Sequence, residues 1–112
     1  MKQYILDPQA LLGGIIAQDD DQELVQLALQ KDNEIPPYQS EAIILLIILN
    51  GRAQIRTEQA EIETHGLQVV RIEANETHSI RALENNTTIL VVKQLTHTLT
   101  FSKKLRFGSC CL

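Results

Sequence analysis

Residues 43–49 are apolar without interruption and run directly into Asn50-Gly51, a junction that limits the folds open to this chain. Seven residues are far too few to span a bilayer as helix, which takes about twenty. The run instead reads as a strand buried on both faces, lying between an interior and a second sheet or subunit. Asn50-Gly51 supplies the residues that a tight turn holds at positive φ, so 52–57 is expected to return antiparallel, with Ile55 alternating with Gln54 and Arg56. A later apolar run covers 89–92. Between and beyond, strands are expected at 61–64, 67–72, 78–83, 88–95 and 96–101, with turns near Glu58-Gln59, Gly66, Asn75 and Asn85-Asn86. Short strands at this spacing build a sandwich or barrel.

Upstream, the segment from Asp19 to Asp32 carries two signals. Asp20 followed by Glu23 has the form of a capping box, and Leu24, Leu27 and Ala28 would share a helical face. Val25, Leu27 and Leu29 also alternate with Gln26, Ala28 and Gln30, the pattern of a half-buried strand whose hairpin partner is 13–18, across Asp19-Asp20-Asp21. Strand is the preferred reading of 22–30. Residues 33–37 are expected to be loop, because Pro36 and Pro37 each lack a backbone donor.

Nothing divides the chain. Its 112 residues, 44% hydrophobic, suffice for one core, which Ile, Leu and Val must fill because there is no Trp. A single domain over 1–112 is expected, with 1–11 as an N-terminal arm and 102–112 as a loosely held tail. The net charge is −4, and the basic residues are dispersed apart from Lys103, Lys104 and Arg106. Phosphate backbones need a concentrated positive surface, so nucleic acid is not expected as a partner. Neither a membrane nor a secretory signal is indicated, and the default location is cytoplasmic. Cys110 and Cys111 are adjacent, too close for an ordinary bridge, and read as reduced thiols. The Asn-X-Thr triplets at 75, 85 and 86 read as turn residues.

The order of these elements resembles the cupin family over roughly the last two-thirds of the chain, with Asn50-Gly51-Arg52, Ala74 to Leu83 and Ile89 to Val92 carrying the likeness. The resemblance implies an all-β double-stranded β-helix, or jelly-roll barrel, whose strands enclose a pocket that usually holds a metal. The family's first motif sets two His one residue apart, then a Glu, then a hairpin Gly. With Gly51 as that glycine, the ligand positions hold Tyr38, Ser40 and Ile44. The second motif runs from a glycine through a proline-containing loop to a histidine. Gly66 to His78 follows it with one extra residue, and with Glu73 and Asn75 in place of the usual proline and glycine. Only His78 remains of four ligands. A lone imidazole beside a phenol and a hydroxyl is short of the three protein ligands a catalytic Zn or Fe centre needs. No resident metal or other cofactor is therefore expected, His78 being the weak candidate and His65 or His97 the remote substitutes.

The candidate ligand pocket is Tyr38, Ser40, Ile44, Leu46, Ile48 and His78. The three aliphatic residues share one side of their strand by alternation. Tyr38 reads equally as a hydrogen-bonding pocket donor and as packing over the barrel mouth. Arg52, Arg56, Arg71 and Arg81 are assigned to cross-strand pairing with Glu61, Glu63 and Glu73. The favoured function is a metal-free protein that binds a small molecule or acts as a sensing or interaction module. The alternatives are a small enzyme (isomerase, dioxygenase or sugar-modifying) using a rebuilt metal site or His78 and Tyr38 as acid and base, and a purely structural dimerising domain with a filled barrel. A homodimer is expected, since a symmetric partner supplies burial for the outer face of 43–49.

Overall fold

The computed structural model describes residues 1–10 and 12–95. Among them there are nine strands and no helix: β1 (Gly14–Gln18), β2 (Gln22–Leu29), β3 (Glu34–Tyr38), β4 (Ile43–Asn50), β5 (Arg52–Thr57), β6 (Glu61–His65), β7 (Gln68–Ile72), β8 (His78–Ala82) and β9 (Thr87–Gln94). Two antiparallel sheets result, one in the order β1-β2-β9-β4-β7 and the other β3-β8-β5-β6. This is the all-β jelly roll expected from the sequence. The strand proposed at 96–101, the 102–112 tail, His97, Cys110 and Cys111 lie outside the described residues. No helix among the described residues is long and apolar enough to cross a membrane.

The core follows from strand parity. On β4, Ile44, Leu46 and Ile48 are almost fully buried, while Ile43, Leu45 and Ile47 on the other face are half-buried. The inner row meets Ile89 and Val91 of β9, Ile72 of β7 and, from the facing sheet, Ala53, Ile55, Ile80 and Ala82. Each fully buried aliphatic side chain contributes roughly 2–3 kcal/mol of transfer free energy.

The 22–30 segment is strand, not helix. Its eight residues pair one by one with β9 from Gln22↔Gln94 to Leu29↔Thr87, and β1 covers the other side. That burial on two ladders outweighs a local capping signal, which the structure uses differently. Asp19 Oδ1, not Asp20, accepts from the backbone N–H groups of Asp21 and Gln22, and so closes a hairpin.

The loop expected at 33–37 is a correction. Glu34–Tyr38 forms β3, in spite of two prolines. It is an edge strand, and its register runs Glu34↔Arg81, Ile35↔Ile80 and then Tyr38↔His78, an irregularity spanning Pro36 and Pro37. Pro36 and Pro37 thus stand against Ser79 alone, a bulge on an edge strand, where a missing proline donor is tolerated. The bulge also delivers Tyr38 directly opposite His78.

Two of the four arginines, Arg52 and Arg56, make the expected cross-strand pairs, whereas Glu73 lies two residues along the chain from Arg71 and Arg81 turns to a loop aspartate. Arg56 meets Glu61 at 2.7 Å, Arg52 meets Glu63 and Glu84 at 2.7 Å, and Arg71 meets Glu73 at 2.9 Å, whereas Arg81 takes Asp32 at 2.9 Å.

The Asn50-Gly51 turn is tightly enclosed. Gly51 has φ +84°, and a Cβ there would collide with the backbone and side chain of Thr87. Thr87 is fully buried and donates its hydroxyl to the carbonyls of Glu84 at 2.8 Å and Arg52 at 3.2 Å. Gly51→Ala therefore combines a left-handed alanine with a clash, and is expected to lower unfolding free energy by about 3 kcal/mol in urea denaturation. A change under about 0.5 kcal/mol, the usual range for a tolerant surface site, contradicts this account of the turn.

Candidate functional site

A cleft of about 100 Å³ lies between the sheets, lined by Val25 and Leu27 of β2, Ile35 and Tyr38 of β3, Ile44 and Leu46 of β4, His78 and Ile80 of β8, and Val91 and Lys93 of β9. Seven of these ten side chains are aliphatic. The three polar ones are brought together by register, since Tyr38 is opposite His78 and Lys93 is opposite both Ile44 and Glu23.

Their contacts form a chain. The Lys93 ammonium donates to the Tyr38 hydroxyl at 2.9 Å and lies 3.4 Å from Glu23, whose other oxygen accepts from the Gln18 amide at 2.7 Å. Tyr38 and His78 meet edge to face, their ring centroids 5.6 Å apart. His78 is 4% exposed, and its Nδ1 is 3.3 Å from the Glu76 carbonyl oxygen. A carbonyl only accepts, so Nδ1 carries the proton and, in the neutral ring, Nε2 is left as an acceptor. Nε2 has no hydrogen-bond partner among the described residues. The ring also borders a second cavity of about 240 Å³ lined by Pro37, Arg56, Thr57, Glu58, Thr77 and Ser79.

Two groups here titrate away from their ordinary values. The hydrogen bond from Lys93 draws the Tyr38 phenol down; burial opposes this, and the Ser40 hydroxyl adds a smaller lowering. For Lys93 burial is the largest single influence and acts against the charge, but the contacts with Tyr38 and Glu23 together outweigh it and hold the ammonium above its usual pKa. Each result has the same origin, an ammonium ion half withdrawn from water and stabilised by its oxygen partners.

The remaining candidates are placed differently. Ser40 accepts from the Ala42 N–H at 3.0 Å and offers its carbonyl to Asn75 at 2.6 Å, serving as a loop fastener beside Tyr38 without lining the cleft. Ile48 is fully buried in the core and does not line the cleft either. His65 is exposed and pairs with Arg52, at the opposite end of β5 from Thr57, the partner of His78. Neither Lys93 nor Glu23, which the sequence offers only as a capping-box residue, is among the site residues expected from the sequence. Their signal is parity: Lys93 continues the inward series Ile89 and Val91, and Glu23 precedes the inward series Val25, Leu27 and Leu29.

A metal of the kind the resemblance implies does not fit these residues. Among the described residues no three His, Cys, Asp or Glu side chains are grouped to hold an ion. The cleft instead presents a lysine ammonium beside its one imidazole, with aliphatic Ile44 as that lysine's cross-strand neighbour. A fixed cation repels a second one and lends it no lone pair.

No family model matches the sequence, and no curated protein matches it. Solved structures do match the fold. An RmlC-like cupin with a double-stranded β-helix fold from Methanocaldococcus jannaschii superposes with a TM-score of 0.73 at 15% identity, covering 91% of this chain and 96% of that one. A cupin superfamily protein from Desulfitobacterium hafniense gives 0.72 at 19% identity, covering 76% and 77%. A conserved protein of unknown function from Streptococcus pyogenes gives 0.72 at 22% identity, covering 84% and 82%. The chain has the cupin fold.

Lys93 as the main cause of the lowered phenol has a direct check. Absorbance titration is expected to show Tyr38 ionising below the ordinary phenol value of 10.0, and Lys93→Met to move that midpoint upward. An unchanged midpoint in the variant rules Lys93 out as the cause.

Proposed function

We propose that this protein binds a small organic molecule in the cleft between its sheets, without a metal, and acts as a binding or sensing module. One observation carries the reading: a nine-tenths buried imidazole with a free acceptor nitrogen stands beside a phenol and an ammonium at the polar end of an otherwise aliphatic cleft. Ligand sites are commonly of this make-up, mostly apolar with a few convergent polar groups. Tyr38, Ile44, Leu46 and His78 are the residues of the sequence-derived set assigned to the site, with Lys93 and Glu23 added. The fold likeness supplies no substrate, since the same fold hosts many activities.

The test is a methyl-detected NMR screen with small ketones, alcohols and carboxylic acids, following Ile44, Leu46, Ile80 and Val91. Shifts confined to these methyls are expected, with affinity falling about tenfold in His78→Ala, the loss typical of one hydrogen bond. Shifts scattered over the surface, or untouched by the substitution, refute the site.

The same reading includes a homodimer through the outer face of the five-stranded sheet. There Leu24, Val92 and Leu45 form one row and Leu90, Ile47 and Val69 the next. Leu49, Val69 and Leu67 are 38%, 59% and 90% exposed, and β7 is the open edge. The only charged side chain on this face within β2, β9, β4 and β7 is Arg71, which Glu73 neutralises. A two-fold contact sets a patch against its own copy, so an uncharged apolar patch suits a second copy of this chain better than a charged partner. Sedimentation at high micromolar concentration is expected to show a dimer that Val69→Glu weakens about tenfold or more. A wild-type monomer, or a dimer indifferent to Val69→Glu, refutes it.

A further inference from the structure

Resting on the reading of the cleft as a ligand site, we infer that its ligand is an uncharged α-hydroxycarbonyl compound, its carbonyl oxygen accepting from the Tyr38 hydroxyl and its hydroxyl donating to His78 Nε2. Donor and acceptor capacities at the polar end lead to this complement. The Tyr38 oxygen already accepts from the Lys93 ammonium at 2.9 Å and is met by the Ser40 hydroxyl as well, so the hydrogen of its own hydroxyl is the part available to a ligand. His78 spends its Nδ1–H on the Glu76 carbonyl and keeps Nε2 as a lone-pair acceptor in a residue 4% exposed. One donor and one acceptor therefore stand on neighbouring rings whose centroids are 5.6 Å apart. A small molecule carrying both an acceptor and a donor answers both groups, whereas a simple ketone or hydrocarbon leaves Nε2 unpaired.

Charge decides against an acid. Among the described residues Lys93 is the only cation lining the cleft, and it is already matched by Glu23 at 3.4 Å, with side-chain exposures of 20% and 13%. A carboxylate entering beside Lys93 shares one ammonium with a second, poorly hydrated carboxylate, so the anion loses water without gaining an unmatched partner. Volume sets the size. A cavity of about 150 Å³ takes benzene, so the enclosed portion of a ligand here comprises about four to six heavy atoms, the cleft measuring about 100 Å³.

Four probes of similar bulk separate the possibilities when titrated into the full-length protein and followed by the cleft methyls: acetoin (uncharged, acceptor and donor), butanone (acceptor only), lactate (anionic, acceptor and donor) and cyclopentane (neither). Acetoin is expected to bind at least about tenfold more tightly than each of the others, one matched buried hydrogen bond accounting for that factor. Tyr38→Phe, which removes a single oxygen from a part-exposed ring, is expected to weaken acetoin about tenfold and leave cyclopentane unchanged. Glu23→Gln removes the charge that matches Lys93 and is expected to strengthen lactate relative to acetoin. Lactate or cyclopentane equalling acetoin in the wild type overturns the ligand class while leaving the cleft a binding site, and so does acetoin binding indifferent to Tyr38→Phe. Absence of any cleft shift with all four probes overturns the binding reading and this ligand class with it.

Discussion

The structure depends on one strand being apolar on both faces. The inward side chains of β4 share one buried cluster with residues of the four-stranded sheet, and its edges are held by β9 and β7, so removing it would detach β7 from the rest of the larger sheet. Three side chains, Ile44, Leu46 and Ile48, lose essentially all their exposure there. At roughly 2–3 kcal/mol each, their burial is comparable with the whole net stability of a typical small domain, about 5–15 kcal/mol. A chain with two phenylalanines and no tryptophan has few other large side chains to commit to a core.

The same row that closes the core also opens the cleft. Passing across the larger sheet at the level of Ile44, the register reads Gln18, Glu23, Lys93, Ile44 and Ile72, so the inner surface changes from polar to aliphatic along one line. Glu23, Lys93 and Tyr38 are interdependent. A half-buried ammonium is tolerable only with its oxygen partners in place, and deleting one strands a charge that water no longer reaches well. Tyr38 in turn owes its position to the bulge at Pro36 and Pro37, so backbone chemistry at a sheet edge determines which side chain faces His78.

Much of this was legible in the sequence. Asn50-Gly51, the uninterrupted run before it and the spacing of later strands led to the correct fold class, and alternation placed Ile44 and Leu46 on the inner side. Reading β2 as strand rested on the family resemblance, which tipped the choice between alternation and a capping box, and the eight paired residues give the physical reason: a ladder on each side is a tertiary gain that a local motif does not match. The proline pair misled because a missing donor excludes a central strand but not an edge strand with a bulge, and edge position is invisible until the sheet order is known. Lys93 and Glu23 were hidden for a related reason. Each lies one step beyond an alternating apolar series, where a charge reads as the end of the buried segment and not as its continuation inward.

At position 44, where the resemblance implies an acidic ligand, the chain holds isoleucine, and a lysine arrives next to it from the neighbouring strand. Beside the cleft the chain presents an aliphatic wall and a resident cation with its own counter-charge. The backbone barely registers such an exchange, because strand pairing depends on register and not on the sign of an inward side chain. Superposition at TM-scores above 0.7 with identities of 15–22% is what that independence produces. The polar side chains lining the cleft are Tyr38, His78 and Lys93, and Glu23 pairs with Lys93 from the next strand.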